Sequence, residues 1–135
     1  MRPLADFPVA ARRSVRGVLC DIDDTLTTGG RLTAPAYAAM ERLQRAGLLV
    51  IPITGRPAGW CDHIARMWPA DAVVGENGAF YFRYDDATHT MQRHFADAPA
   101  TRSQNRSRLT QIGAHIVNAV AGAKLAADQP YRETD

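Results

Sequence analysis

Short apolar runs alternate with polar or glycine-rich stretches along the first half of the chain. The runs cover residues 15–22, 48–53 and 72–74, and each is bounded by polar or glycine-rich residues. A short, β-prone apolar run of this kind is typical of a strand in a parallel sheet that is covered on both faces. The pattern therefore predicts three buried parallel strands.

Helical periodicity fills the gaps between these runs. Apolar residues recur on one helical face over residues 36–47 and again over residues 60–67. Strand, helix and strand joined by short loops form the βαβ unit of an α/β fold. Because ligands of open parallel sheets bind outside the carboxyl ends of the strands, we expect the polar loops after the three strands to converge on one crevice.

The second half of the chain follows a different pattern. Residues 79–84 are aromatic and β-prone, residues 85–88 favour a turn, and residues 89–95 are suited to return as the second strand of a hairpin. An apolar helical stripe over residues 103–124 then predicts a helix packed on other elements. Residues 1–14 show no sustained periodicity and are predicted to be a leader.

Composition narrows the class of protein. The 135 residues are enough for one domain with a proper core, and 46% apolar with 22% charged residues is typical of a globular protein. A net charge of +2 gives no electrostatic reason to expect nucleic acid or an anionic membrane as partner. The two cysteines form no C-x-x-C pair, and no apolar run approaches the length of a membrane span. We therefore expect a cytoplasmic protein without nucleic-acid or membrane partners.

The end of the first predicted strand crowds three carboxylates together. Asp21, Asp23 and Asp24 fall within four positions directly after an apolar run. Like charges this close raise one another's pKa, so the arrangement is favourable only when a cation or a hydrogen-bond network compensates it. Mg²⁺ is the natural candidate, although a solvated turn that caps a helix would also accommodate such a run.

Two motifs resemble the haloacid dehalogenase (HAD) superfamily. Residues 21–25 resemble its D-x-D-x-T signature, and Thr54, at the end of the next predicted strand, stands where that family has its second motif. Thr-Gly-Arg-Pro at 54–57 followed by Glu-Asn-Gly-Ala at 76–79 resembles subclass IIB, in which sugar-phosphate phosphatases are typical. The resemblance implies an α/β fold with an incomplete Rossmann-like HAD core over residues 15–80, followed by the beginning of an α/β cap over residues 81–135.

The resemblance also implies roles for the motif residues. Asp21 would be the nucleophile that forms an aspartyl-phosphate, and Asp23 would protonate the leaving oxygen and then activate water. The Asp21 carboxylate and the Asp23 backbone carbonyl would bind Mg²⁺. The Thr54 hydroxyl and the Gly55 amide would hydrogen-bond the phosphoryl oxygens, while Thr25 would brace the first loop.

Two further residues complete the candidate site. Arg56 would reach the substrate or the cap, and Asn77 would contribute polar lining, although Asn77 followed by glycine is also a favoured turn. The lysine and the acidic G-D-x-x-x-D motif of the superfamily have no counterpart here. Lys124, the only lysine, is followed by no strand that ends in Gly-Asp, so neither Lys124 nor Glu76 receives a role.

The leading hypothesis is a Mg²⁺-dependent phosphatase of a small phosphorylated metabolite, most simply the N-terminal part of a longer hydrolase. A phosphomutase that uses the same intermediate is one alternative. A non-catalytic domain that binds a phosphorylated ligand or a partner chain is another. Strand edges left open by an unfinished cap also predict a homodimer.

Overall fold

The computed structural model describes residues 3–134, which contain seven strands and four α-helices. The strands are β1 (Gly17–Asp21), β2 (Thr27–Thr28), β3 (Arg31–Leu32), β4 (Leu49–Ile53), β5 (Val73–Gly75), β6 (Phe80–Asp85) and β7 (Thr90–Phe95). The helices are α1 (Val9–Arg12), α2 (Ala34–Arg45), α3 (Ala58–Met67) and α4 (Pro99–Ala119). None of the described helices is long and apolar enough to cross a membrane.

Five of the strands form one mixed sheet in the order β1-β4-β5-β6-β7. The pairs β1–β4 and β4–β5 are parallel, whereas β5–β6 and β6–β7 are antiparallel. This arrangement confirms the α/β Rossmann-like prediction and the predicted hairpin. The domain boundary expected at residue 80 lies at the start of β6. This strand pairs with β5 on one side and with β7 on the other, so the sheet continues across the expected boundary. The division into core and cap stays a prediction.

The crossover helices begin and end close to where the sequence pattern puts them. α2 has Pro35 in its first turn, and Gly47 just after its end adopts a φ of 77°, a conformation that glycine reaches without steric cost.

α4 begins at Pro99 and ends at Ala119, so it lies several residues earlier than the predicted range 103–124. Proline suits the first turn of a helix, and the backbone becomes extended at Val120.

The face of the sheet under α3 forms the core. Phe82 and Val73 are 2% and 0% exposed, and they pack with Cys61 and Ile64 of α3. The rings of Phe80 and Phe82 stack with their centroids 4.4 Å apart. α2 covers β4 on the same face, because both crossovers advance across the sheet in one direction.

The opposite face of the sheet is open, which corrects the prediction that β1 is covered on both faces. Leu19, Leu49 and Tyr81 are 61%, 49% and 43% exposed. β1 has β4 on one side and, among the described residues, no strand on the other. The prediction was wrong because an apolar run shows only that the side chains of a strand are suited to burial. It does not show whether another element packs on each face of the sheet.

The apolar stripe of α4 is open as well. Leu109, Ile112 and Ile116 are 42%, 45% and 46% exposed, although their spacing predicted a packed face. α4 is attached at its N-terminal end, where the guanidinium of Arg102 lies 3.6 Å from the centroid of the Phe95 ring. Gly113 further along meets Leu125 of the segment that follows the helix.

Candidate active site at the carboxyl ends of β1 and β4

Asp21 and Thr54 come together because β1 and β4 run in parallel and in register. Asp21 is the last residue of β1 and pairs with Ile53, the last residue of β4. Thr54 follows Ile53 directly, so the two strand ends present a carboxylate and a hydroxyl at the same edge of the sheet. The Asp21 side chain is exposed at this edge, where a ligand can reach it.

The loop after β1 is fixed at both ends. Ile22 is buried in the core, and Asp24 adopts a positive φ of 57°. The buried Thr27 hydroxyl accepts the Asp24 N–H at 3.2 Å and donates to the Ile22 carbonyl at 3.0 Å. Thr27, two positions beyond the Thr25 suggested by the resemblance, therefore braces the loop. These bonds hold Asp23, which lies between them, in a defined place.

The loop after β4 offers hydrogen-bond donors to a ligand. Thr54 is 2% exposed, and its N–H donates to the Val74 carbonyl at 2.9 Å. Its hydroxyl oxygen accepts the Arg56 N–H at 3.0 Å, which leaves the hydroxyl proton for a second partner. A hydroxyl fixed in this way is a preorganised donor for an anionic oxygen.

Asn77 lies against the same loop, as the sequence motifs suggested. The Asn77 N–H donates to the Thr54 carbonyl at 3.2 Å. Its Oδ1 lies only 2.8 Å from where a Cβ on Gly55 would stand, so a larger residue at position 55 would displace the Asn77 side chain. Asn77 therefore helps to shape the loop, and whether it also touches a ligand stays a prediction.

Arg56 forms a bidentate ion pair with Asp23. Nη2 and Nε of Arg56 donate to the two carboxylate oxygens of Asp23 at 2.8 and 3.2 Å. The hydrogen bond to Arg56 lowers the pKa of the Asp23 carboxyl below its usual range, with the positive charge adding to the effect. The guanidinium also stacks over the indole of Trp60, 4.6 Å from the ring centroid. Sequence reasoning named Arg56 and missed both of these contacts.

Glu76 is a buried carboxylate that sequence reasoning left without a role. It is 2% exposed and accepts the Ala58 N–H at the start of α3 at 2.9 Å. It also accepts the Glu133 and Thr134 N–H groups at 2.9 and 2.6 Å, and the Thr134 hydroxyl. The sequence around Glu76 shows only an acidic residue in a glycine-rich turn. It does not indicate these hydrogen bonds, because two of the partners lie 18 and 57 residues away in the chain.

Glu76 holds the segment around residues 129–134 beside the loop after β4. Arg132 in this segment donates to the Gly55 carbonyl at 3.3 Å, and Tyr131 packs against Gly59. A cavity of about 450 Å³ lies between this segment and α4. Arg132 lines this cavity and also contacts Gly55, whereas Asp21, Asp23 and Thr54 are not among the residues that line it.

The donors available for a cation are few. Within residues 3–134, no three His, Cys, Asp or Glu side chains gather as a metal-binding group. The Asp21 carboxylate and the Asp23 backbone carbonyl are hard oxygen donors at an exposed edge, which fits a Mg²⁺ ion that keeps several waters. Lys124 lies away from the site, beside Ala114 and Val117 of α4. Cys61 is no candidate either, because burial raises the pKa of its thiol to about 12.

Comparison with known proteins gives a consistent result. The family model of haloacid dehalogenase-like hydrolases matches residues 18–117, which is most of the chain. A search of curated proteins finds no match.

Solved structures share the fold at low sequence identity. A haloacid dehalogenase-like hydrolase from B. subtilis matches with a TM-score of 0.54 and 20% identity, over 77% of this chain and 34% of its own. BT1666 from Bacteroides thetaiotaomicron, described among the phosphatases of the HAD superfamily, gives 0.51 and 19%, over 83% and 38%. The Thermoplasma acidophilum protein 0175 gives 0.61 and 16%, over 89% and 48%. The chain thus spans between a third and a half of the length of these structures.

Proposed function

Because this chain belongs to the haloacid dehalogenase-like hydrolases, in the subclass IIB branch that its motifs indicate, we propose that it carries the nucleophile and phosphate-binding loop of a Mg²⁺-dependent phosphatase. The substrate is a small phosphorylated metabolite, most simply a sugar phosphate. The observation that carries the proposal is the pairing of β1 and β4 in register, which puts Asp21 beside Thr54 at one edge of the sheet.

The chemistry proceeds by two displacements at phosphorus. A carboxylate oxygen of Asp21 attacks the phosphorus, the bond from phosphorus to the ester oxygen breaks, and Asp23 gives its proton to the departing oxygen. Water then attacks the phosphorus of the aspartyl-phosphate and loses a proton to Asp23. Inorganic phosphate leaves, and the Asp21 carboxylate is restored.

Thr54 and Gly55 hold the phosphoryl oxygens during both displacements. The Thr54 hydroxyl is fixed by the Arg56 N–H, and the loop is held by Asn77, so the donors need little rearrangement to bind an oxyanion. The Asp21 carboxylate and the Asp23 carbonyl would hold Mg²⁺, which supplies charge neutralisation for the transferring phosphoryl group when bound. With few protein ligands, we expect the affinity for the ion to be low.

We assign the organic part of the substrate to the cavity bordered by the segment that contacts Gly55. This cavity is lined by Leu109 and Leu125 together with Arg106 and Arg132, so it offers both apolar and cationic contacts. Its volume of about 450 Å³ is in the range of small-ligand sites. This space supports a small metabolite rather than a macromolecule as substrate.

Hydrolysis of p-nitrophenyl phosphate tests the proposal directly. We expect slow hydrolysis with Mg²⁺ that is lost in EDTA and in Asp21→Asn, which keeps the shape of the nucleophile and removes its charge. Asp24→Asn is the matched control, because Asp24 is adjacent, exposed and at a positive φ that asparagine tolerates. Turnover that survives Asp21→Asn would refute the mechanism.

A non-catalytic phosphate-binding domain is the second candidate. It is favoured by the small set of cation ligands within the described part of the chain. The two functions separate cleanly in one experiment, because a binding domain would retain inorganic phosphate through Thr54 and show no Asp21-dependent turnover. A phosphomutase would instead transfer the phosphoryl group to a sugar hydroxyl, which product analysis with added sugar would detect.

A further inference from the structure

The backbone of Arg56 is fixed while its side chain is exposed. The Arg56 N–H donates to the Thr54 hydroxyl, and the Arg56 carbonyl accepts the Glu76 N–H at 3.3 Å. The side chain is 36% exposed, and its bonds to Asp23 cross from one loop to the other. The guanidinium can therefore turn while its point of attachment stays within the phosphate-binding loop.

Asp23 accepts hydrogen bonds from the Nε and Nη2 groups of Arg56, the same donors that a phosphoryl group would use. The guanidinium is a planar fork whose parallel N–H groups match a carboxylate and a phosphate equally well. Arg56 lies two residues beyond Thr54, so a phosphoryl group held by Thr54 and Gly55 comes within reach of the same fork. The carboxylate and the ligand therefore compete for one cation.

Trp60 provides a surface on which the guanidinium can turn. The indole belongs to the first turn of α3, four residues beyond Arg56, and is 46% exposed. The stacked contact, 4.6 Å from the Arg56 guanidinium carbon to the ring centroid, depends little on which direction the N–H groups point within the plane. The ring can thus keep Arg56 in position for either partner.

We propose that Arg56 is exchanged between Asp23 and the bound phosphoryl group, with Trp60 as the positioning residue that holds the guanidinium in both states. The inference rests on the proposed phosphate site and adds a form of regulation to it. In the ligand-free chain Arg56 pairs with Asp23, and arrival of the phosphoryl group frees that carboxylate. The Asp23 carboxylate is thereby freed from its ion pair only when a phosphoryl group is present.

Trp60 fluorescence reports on this exchange. The chain has two tryptophans, so Trp68→Phe leaves Trp60 as the single indole. Inorganic phosphate is titrated into this variant at constant ionic strength maintained with NaCl. We expect a saturable change in Trp60 emission that disappears in Arg56→Gln and in Thr54→Val.

A double-mutant cycle separates exchange from simple charge repulsion. While Arg56 is present, we expect Asp23→Asn to tighten phosphate binding between about two- and fivefold, as measured by calorimetry. The phosphate then no longer has to break the exposed ion pair between Asp23 and Arg56. In Arg56→Gln the same substitution should give no comparable gain. Asp24→Asn, which removes a neighbouring charge with no bond to Arg56, is the control and should have little effect. An equal gain from Asp23→Asn in both backgrounds would overturn the exchange.

Trp60 variants test the positioning role. Trp60→Phe should preserve the coupling between Asp23 and Arg56 in the calorimetric cycle, and Trp60→Ala should reduce it. Full coupling in Trp60→Ala would overturn the role of Trp60. Phosphate binding that needs Thr54 but neither shifts Trp60 emission nor couples to Arg56 would refute the exchange and leave the proposed function intact. Absence of any Thr54-dependent phosphate binding would overturn both.

Discussion

The two faces of the five-stranded sheet differ sharply in what they contact. On one face, Phe82, Val73 and Val50 are buried under α2 and α3. On the other, Leu19 and Leu49 are 61% and 49% exposed. The strands are the same on both faces, so the difference arises from the elements around the sheet rather than from the composition of the strands.

The solvent-accessible surface area of the chain is larger than that of a compact monomer. A compact monomer of this mass, 14.8 kDa, exposes about 7,000 Å². This chain exposes 9543 Å². The excess agrees with the open face of the sheet and the exposed stripe of α4, and contiguous exposed apolar surfaces mark sites of association.

The candidate site sits between the two faces. Alternation along β1 puts Asp21 on the same face as Leu19, which is open, whereas Thr54 is buried at the end of β4. Thr54, the proposed phosphate ligand, therefore lies on the packed side, where its hydrogen bonds fix its geometry. Asp21, the proposed nucleophile, lies on the open side, where a ligand can approach it.

Substitution of adjacent residues on β6 should give the largest contrast between the faces. Phe82→Ala should lower the free energy of unfolding by about 3–5 kcal/mol, because it leaves a cavity under α3. Tyr81→Ala, one residue earlier and on the open face, should cost less than about 1 kcal/mol. Urea unfolding of both variants measures the difference, and equal losses would show that the open face is packed in solution.

Self-association through the open face should respond to charge on β1. We expect the chain to dimerise, because β1 is an apolar edge strand beside an uncovered apolar face. Leu19→Lys should raise the dimer dissociation constant at least about tenfold, or about 1.4 kcal/mol, by light scattering. Met67→Lys is the control, since Met67 is exposed to the same degree, 62% against 61%, at the end of α3. A monodisperse wild-type monomer would contradict this prediction.

Alkaline pH should weaken the packed face through Cys61. Burial raises the pKa of this thiol from 9.0 to about 12, so the folded state keeps its proton where the unfolded state loses it. Stability is full below pH 9 and falls as the pH rises towards 12, with about 1 kcal/mol lost by pH 10. Cys61→Ala should abolish this part of the pH dependence. A stability difference between the two proteins that is the same at pH 8 and pH 10 would contradict the assignment.

The smallest effect is expected for Asp62 on the outer surface of α3. Hydrogen bonds from Arg66, with a weaker contribution from Arg93, lower the pKa of the Asp62 carboxyl below its ordinary 3.8. The stabilisation is therefore present above that value and is lost as the pH falls through the folded-state pKa. Asp62→Asn should cost about 0.5 kcal/mol at pH 6 and progressively less below pH 4. Urea unfolding midpoints of the wild type and of Asp62→Asn at several pH values measure this difference in stability.

Much of the fold could be predicted from sequence because its signals are local. Apolar runs and helical spacing mark β1, α2, β4 and α3, and the turn at residues 85–88 marks the hairpin. The placement of Asp21 and Thr54 at one edge of the sheet also follows, since parallel strands bring their carboxyl ends together.

The rest depends on contacts between distant parts of the chain. The exchange candidate, Arg56 with Asp23, spans 33 residues, and the bonds of Glu76 to Thr134 span 58. No periodicity or motif indicates either contact. The exposure of Leu19 is unpredictable for the same reason, because it depends on which elements lie beside β1.

Trapping of the covalent intermediate tests the central claim most directly. The chain is incubated with acetyl phosphate and Mg²⁺, quenched in acid and digested, and the peptide that contains Asp21 is examined by mass spectrometry. The account predicts one phosphoryl group on Asp21, removable by hydroxylamine as an acyl phosphate is, and none in Asp21→Asn. A phosphoryl group on any other residue, or the same label in Asp21→Asn, would contradict it.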